Sequence, residues 1–85
     1  MKFSFSDRFK KDYKNLPKPI QGAIDKQLFL LKENPNHPSL DIKKMRGRKS
    51  VWRCKATRGY RFTFQIEENV YIFRRVGTHD ILNKS

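Results

Sequence analysis

Apolar and polar residues alternate at the start of the chain, adopt a helical spacing after residue 6, and return to alternation beyond residue 40. In KFSFS, Lys2 to Ser6, Phe3 and Phe5 share one side, which predicts a short strand with one buried face. Ser6 then stands where a helix N-cap is needed, with Asp7 in the first turn, where the helix dipole favours an acid. Phe9, Tyr13 and Leu16 fall at helical spacing and predict a short amphipathic helix stopped by LPKP. Pro19 suits the first turn of a second helix, whose stripe is Ile20, Ala23, Ile24, Leu28 and Leu31, and NPNHP ends it.

Beyond residue 40, Trp52, Cys54 and Ala56 alternate with Arg53, Lys55 and Thr57. Tyr60, Phe62, Phe64 and Ile66 alternate with Arg61, Thr63 and Gln65, so both segments read as strands with one wet face. NVYIFRRV, residues 69–76, is apolar on both sides and suits an inner strand, joined to its predecessor by a hairpin at EEN. The expected order is strand, helix, helix, then three strands in an antiparallel meander, an α+β fold in one domain spanning residues 1–85. The helical hairpin must bury its stripe on the apolar sheet face, which leaves Arg53, Lys55 and Arg61 side by side on the open one. Trp52 and Tyr60 fall on the helix-facing side by the same parity, and Cys54 reads as a small core residue.

Charge sharpens this picture. Twenty Lys and Arg against eight Asp and Glu give a formal charge of +12 on 85 residues. Nine of the cations, Lys43, Lys44, Arg46, Arg48, Lys49, Arg53, Lys55, Arg58 and Arg61, lie in one stretch, and no acid occurs between Asp41 and Glu67. A merely solvated surface intersperses both signs, so this run reads as a phosphate-binding surface; charge that only keeps a small protein soluble, or that docks an acidic protein, is the other reading. The KKMRGRK part of the run is expected to be a loop. A single cysteine, no apolar run approaching a membrane span and no signal-peptide core lead to the expectation of a cytoplasmic protein with no membrane partner.

The stretch RRVGTHD, Arg74 to Asp80, adds candidate chemistry. Should Arg75 and His79 come up beside Arg61 and Lys55, the site would hold fixed cations and one group that moves protons near neutral pH. Such a set suits RNA, which carries its own nucleophile in the 2′-OH and needs only proton transfer, charge stabilisation and in-line geometry. Asp80, Glu67 and Glu68 are too few for a two-metal mechanism, so no metal or other cofactor is expected. Each residue also has a plainer role. His79 could be a turn residue after Gly77, with Thr78 or Asp80 capping a last short helix. His37 could be an exposed loop residue, and Arg74, sharing parity with Val70, Ile72 and Val76, could snorkel from the core edge.

With WRCKATRGYRFTFQI and RRVGTHDIL, this element order resembles the RelE/ParE superfamily of bacterial toxins from type II toxin–antitoxin systems, from about Phe3 to Leu82. The ending VGTHD is similar to the YafQ-type branch. The resemblance implies a twisted antiparallel sheet with a helical hairpin on one face, and ribosome-dependent cleavage of mRNA in the ribosomal A site on the other. It also implies an acidic, partly disordered antitoxin that wraps the toxin. In its terms Arg61 matches the arginine set against the scissile phosphate, and Arg75 and His79 match the arginine and terminal histidine of the YafQ-type motif. Lys55 and Arg53 stand where RelE-type members place lysines, and His37 resembles a loop histidine of the YafQ-type site. Lys55 and Gly59 replace a strand histidine and an acid of that branch, and the aromatic expected after the terminal histidine is missing. The expected catalytic set is Arg61, Arg75, His79 and Lys55, with RNA contacts from Arg53, Lys43, Lys44, Arg46, Arg48, Lys49, Arg58 and His37. The alternatives are a ParE-like protein that inhibits DNA gyrase without catalysis, and a decayed toxin that binds only RNA or antitoxin.

Overall fold

The computed structural model describes residues 1–47 and 50–79. Strand β1 (Lys2–Phe5) leads into α1 (Asp7–Lys14) and α2 (Lys18–Glu33). A 3-10 turn, Pro38–Leu40, then precedes β2 (Lys43–Lys44), β3 (Val51–Lys55), β4 (Arg61–Glu67) and β5 (Val70–Gly77). The strands form one sheet in the order β1-β5-β4-β3-β2.

The α+β reading holds, with two corrections to the sheet. It is mixed rather than antiparallel throughout, because β1 pairs parallel to β5 while the other three pairings are antiparallel. A parallel pair needs a crossover connection, and the helical hairpin is part of the one supplied here. The KKMRGRK segment does not begin as a loop, for Lys43 pairs with Arg53 and Lys44 with Trp52 as a fifth strand. Two lysines on a two-residue edge strand discourage pairing with another sheet.

The helices start and stop for the reasons read from the sequence. Ser6 caps α1 by accepting from the Phe9 N–H at 3.1 Å, and Pro19 lies in the first turn of α2. The Tyr13 hydroxyl donates to Asp25 at 2.7 Å and the Gln21 amide donates to the Tyr13 carbonyl at 2.8 Å, which locks the two helices together. One polar residue sits in the α2 stripe. Gln27 is buried, and its amide donates to the carbonyls of Ser39 and Lys55, seating both the 3-10 turn and the end of β3 on α2. Burial of that amide is favourable because the donors find partners.

Phe73 is the hub of the core. The rings of Phe3, Phe5, Phe9, Phe62 and Phe64 lie with centroids 4.9 to 5.9 Å from its own. Ile24, Leu31, Leu40, Cys54 and Val76 complete the buried cluster, so Cys54 is the core residue its strand parity indicates. Beyond Phe73 the strand parity breaks. Phe64 faces Phe73 and Thr63 faces Arg75, leaving Arg74 as an extra residue in β5. This bulge corrects the expectation that Arg74 and Val76 share a face, since it returns Val76 to the core where simple alternation would have placed Arg75.

The bulge falls where β1 has ended and the edge of β5 needs new partners. Ser6 donates its N–H to the Phe73 carbonyl at 3.0 Å and its hydroxyl to the Arg74 carbonyl at 2.8 Å. Asp12 of α1 completes the edge. Its carboxylate accepts from Arg75 Nε at 2.8 Å, from Arg75 Nη2 at 3.0 Å and from the Val76 N–H at 3.2 Å.

Two outcomes follow from this packing. Asp12→Ala strands a guanidinium that is only 20 % exposed and a backbone N–H, and should lower unfolding free energy by about 2–3 kcal/mol in urea titration. An unchanged midpoint would show that the clamp contributes nothing. Burial pushes the Cys54 thiol from 9.0 up to about 12, against a smaller opposing pull from Arg61. At pH 8 the native thiolate population is therefore roughly a thousandfold below that of a free thiol. Alkylation should be correspondingly slow until guanidinium is added, and rapid modification of the native protein would contradict the packing.

Candidate functional site

The face of the sheet away from the helices carries the basic residues in register. Lys55 stands directly opposite Arg61, and Lys43 directly opposite Arg53. Facing like charges weaken a sheet, and here two such pairs lie across adjacent strands. The face is not wet throughout. Thr63, on the same parity as Arg61, is fully buried between Arg53 of β3 and Arg75 of β5, its pairing partners.

At one end of this face a cleft of about 310 Å³ is lined by Asp41, Lys43, Arg53, Arg58, Gly59, Arg61 and His79. The register explains the convergence: Arg61 opens β4 opposite Gly77, which closes β5, and His79 follows two residues later. Arg61 is half-buried, and its Nη1 donates to the carbonyls of Thr57, Arg58 and Tyr60. One end of the guanidinium thus holds the β3–β4 turn, while Nε and Nη2 have no partner among the described residues. No described carboxylate pairs with Arg53, Lys55, Arg58 or Arg61; the ion pairs among described residues are Lys43 with Asp41 at 3.7 Å and Arg75 with Asp12. The Lys43–Asp41 pair is exposed and long, so it leaves most of the lysine's field in place.

The other expected residues divide. Lys55 flanks the cleft opposite Arg61, and the Gln27 amide fixes its carbonyl at 2.9 Å. Lys44 pairs with Trp52, the parity of the helix-facing side, and so does not share the face of Lys43. Arg46 is exposed in the β2–β3 turn, outside the cleft. Arg48, Lys49 and Asp80 lie outside the described residues.

Arg75 does not join the cleft. It is held at the α1 edge by the forked contact with Asp12, which raises the guanidinium above its ordinary value despite the opposing effect of burial. His37 is half-buried rather than exposed. Its Nδ1 accepts from the Ser39 N–H at 3.1 Å and caps the 3-10 turn, beside a separate recess that also includes Asp41.

Two residues escaped the sequence reading. Asp41 adopts a left-handed backbone at φ 45°, a conformation that Asp tolerates better than most residues, and lines the cleft. Asp12, three residues after Phe9 and beside Tyr13, was visible as an acid bordering an apolar stripe. Among the described residues no three His, Cys, Asp or Glu side chains converge as metal ligands, and no helix is long and apolar enough to cross a membrane.

The fold recurs in proteins of known structure. E. coli YafQ superposes with a TM-score of 0.79 at 19 % identity, over 94 % of each chain. RelE from the RelB–RelE antitoxin–toxin complex of Methanococcus jannaschii matches with a TM-score of 0.77 at 26 % identity, over 95 % of each chain. A chain of the intact E. coli RelBE toxin–antitoxin complex matches with a TM-score of 0.72 at 24 % identity, over 91 % of this chain and 94 % of its own. Among curated proteins none matches at the sequence level. The family model described as ParE toxin of type II toxin-antitoxin system, parDE, matches residues 3–82, nearly the whole chain, and the protein belongs to that family of toxins.

Proposed function

We propose that this toxin is a ribosome-dependent mRNA endonuclease whose active site is the cleft between Arg61 and His79. The observation that carries the reading is the meeting in one cleft of a guanidinium with two donors unpartnered among the described residues, three further cations and an exposed imidazole. A site that only docks an acidic protein needs the cations but not a proton carrier among them.

In this reading the scissile phosphate sits against the free Nε and Nη2 of Arg61, with Arg53 and Lys55 adding positive field. A planar guanidinium meets two phosphate oxygens at once, and here the turn carbonyls hold its far side still. Attack of the 2′-oxygen forms a bond to phosphorus as the bond to the 5′-oxygen breaks. The 2′-OH proton leaves to a base and the departing 5′-oxygen gains a proton. His79 is the cleft residue whose side-chain type both takes and gives a proton near neutral pH. The products are a 2′,3′-cyclic phosphate and a 5′-OH. Arg75 serves this site by holding β5 to α1 and does not reach for the phosphate.

The partners follow from the charge and from similar toxins, which were solved with the antitoxins RelB and DinJ. A toxin of +12 requires an acidic antitoxin that neutralises the open face, and action on the ribosome places it in the cytoplasm. The ParE description of the matching family model favours a second reading, inhibition of DNA gyrase without RNA cleavage.

Single-turnover cleavage of mRNA on programmed ribosomes separates these. Arg61→Ala should slow cleavage about a hundred- to thousandfold, and His79→Ala about a hundred- to ten-thousandfold. Arg75→Ala should act chiefly on the melting temperature. Undiminished cleavage in both cleft variants would remove the site. Gyrase inhibition by a wild-type protein that cuts no message would give the answer to the second reading.

A further inference from the structure

The β5 bulge has a second product. Arg74, the residue it inserts, is fixed at both ends, its carbonyl by the Ser6 hydroxyl at 2.8 Å and its Nη1 by the Gln65 side chain at 3.0 Å. Its Nε is buried and has no hydrogen-bond partner among the described residues. Leaving a charged donor unpartnered is unfavourable, and an anion in the groove beside the guanidinium would offset that cost. Arg74 lines a groove of about 300 Å³ with Ser6, Arg8, Gln65, Ile72 and Arg75, and no carboxylate of the described residues belongs to that lining. Arg8 is exposed, and the Arg75 charge is already answered by Asp12.

We propose that this groove is a second anion subsite, taking an RNA phosphate next to the one bound in the Arg61 cleft. The inference rests on the endonuclease reading and extends it across the sheet. Gln65 shares the parity of Arg61 and Thr63 on β4 and pairs with Ile72, so the groove opens on the same face as the cleft. Arg74 precedes Gly77, the partner of Arg61, by three residues, which places the Arg74 and Arg61 Cα atoms about 11 Å apart at about 3.3 Å per residue and about 4.8 Å between strands. Two long arginine side chains span that interval onto neighbouring phosphates of one strand. The track also has an end. Beyond Ile72 the same face meets Glu67 and Glu68, which line the next recess and repel a polyanion. A carboxylate-bearing protein segment would use the same cations, but it requires no continuity with the cleft.

The test is binding to ribosomes programmed with an mRNA that is 2′-O-methylated at the A-site codon and so cannot be cut. Arg74→Gln and Arg8→Gln should each weaken binding about threefold to tenfold and reduce the slope of log affinity against log salt by about one. Melting curves on the same samples separate loss of fold from loss of contact, and exposed Arg8 keeps the test usable should the Arg74 variant unfold. A loss confined to programmed ribosomes assigns the phosphate to the message, and an equal loss on empty ribosomes assigns it to ribosomal RNA. Wild-type binding with unchanged affinity in both variants would overturn the subsite while the cleft reading stands. Variants that lose affinity only for an acidic antitoxin would give the groove to protein. No wild-type binding to programmed ribosomes would remove the endonuclease reading itself.

Discussion

One carboxylate reconciles the two demands made on β5. The strand must bring Phe73 and Val76 into the core, and it must also carry two consecutive arginines between them. Simple alternation would drive one guanidinium into the aromatic cluster, at a penalty of many kcal/mol for an unpaired buried charge. The bulge removes that conflict where β1 has ended and the edge of β5 lies open, and Asp12 answers both the Arg75 guanidinium and the Val76 N–H there. Because Asp12 belongs to α1, the same contact fixes the helix against the sheet. The end of β5, from which His79 extends, is held by this arrangement.

The clamp also sorts the cations. Arg75 is paired, forked and largely covered, whereas Arg53, Lys55, Arg58 and Arg61 have no carboxylate among the described residues. Facing Lys55 against Arg61 and Lys43 against Arg53 sacrifices some sheet stability, the kind of local conflict that folds retain at sites of function. Arg61 shows how a side chain can serve both ends. Its Nη1 tethers the turn while Nε and Nη2 have no partner among the described residues, which prepares the guanidinium for a ligand at little further entropic cost.

Much of this was legible in the sequence because it depends on local periodicity. The Ser6 cap, the stop at LPKP, the α2 stripe and the alternation in β3 and β4 all appear where the pattern placed them, as does the grouping of Arg53, Lys55 and Arg61. What stayed hidden depends on tertiary register. A bulge leaves no mark in an apolar run such as YIFRRV, so the parity of Arg74 and the fate of Arg75 could not be counted out. The parallel pairing of β1 is equally a matter of where the crossover returns the chain. His37 carried the right residue type, but Pro38 after it opens a 3-10 turn whose first N–H the imidazole caps. The resemblance in RRVGTHD grouped Arg75 with His79 as a catalytic pair, and the fold separates them by giving the arginine to α1.

That separation can be seen directly in a crystal structure of the toxin with a short RNA whose 2′-hydroxyls are methylated. The account predicts a phosphate within hydrogen-bonding distance of Arg61 Nε or Nη2 and of the His79 ring, with the Arg75–Asp12 contact intact. A phosphate held by Arg75 released from Asp12, or an RNA bound with no phosphate in the Arg61–His79 cleft, would contradict it.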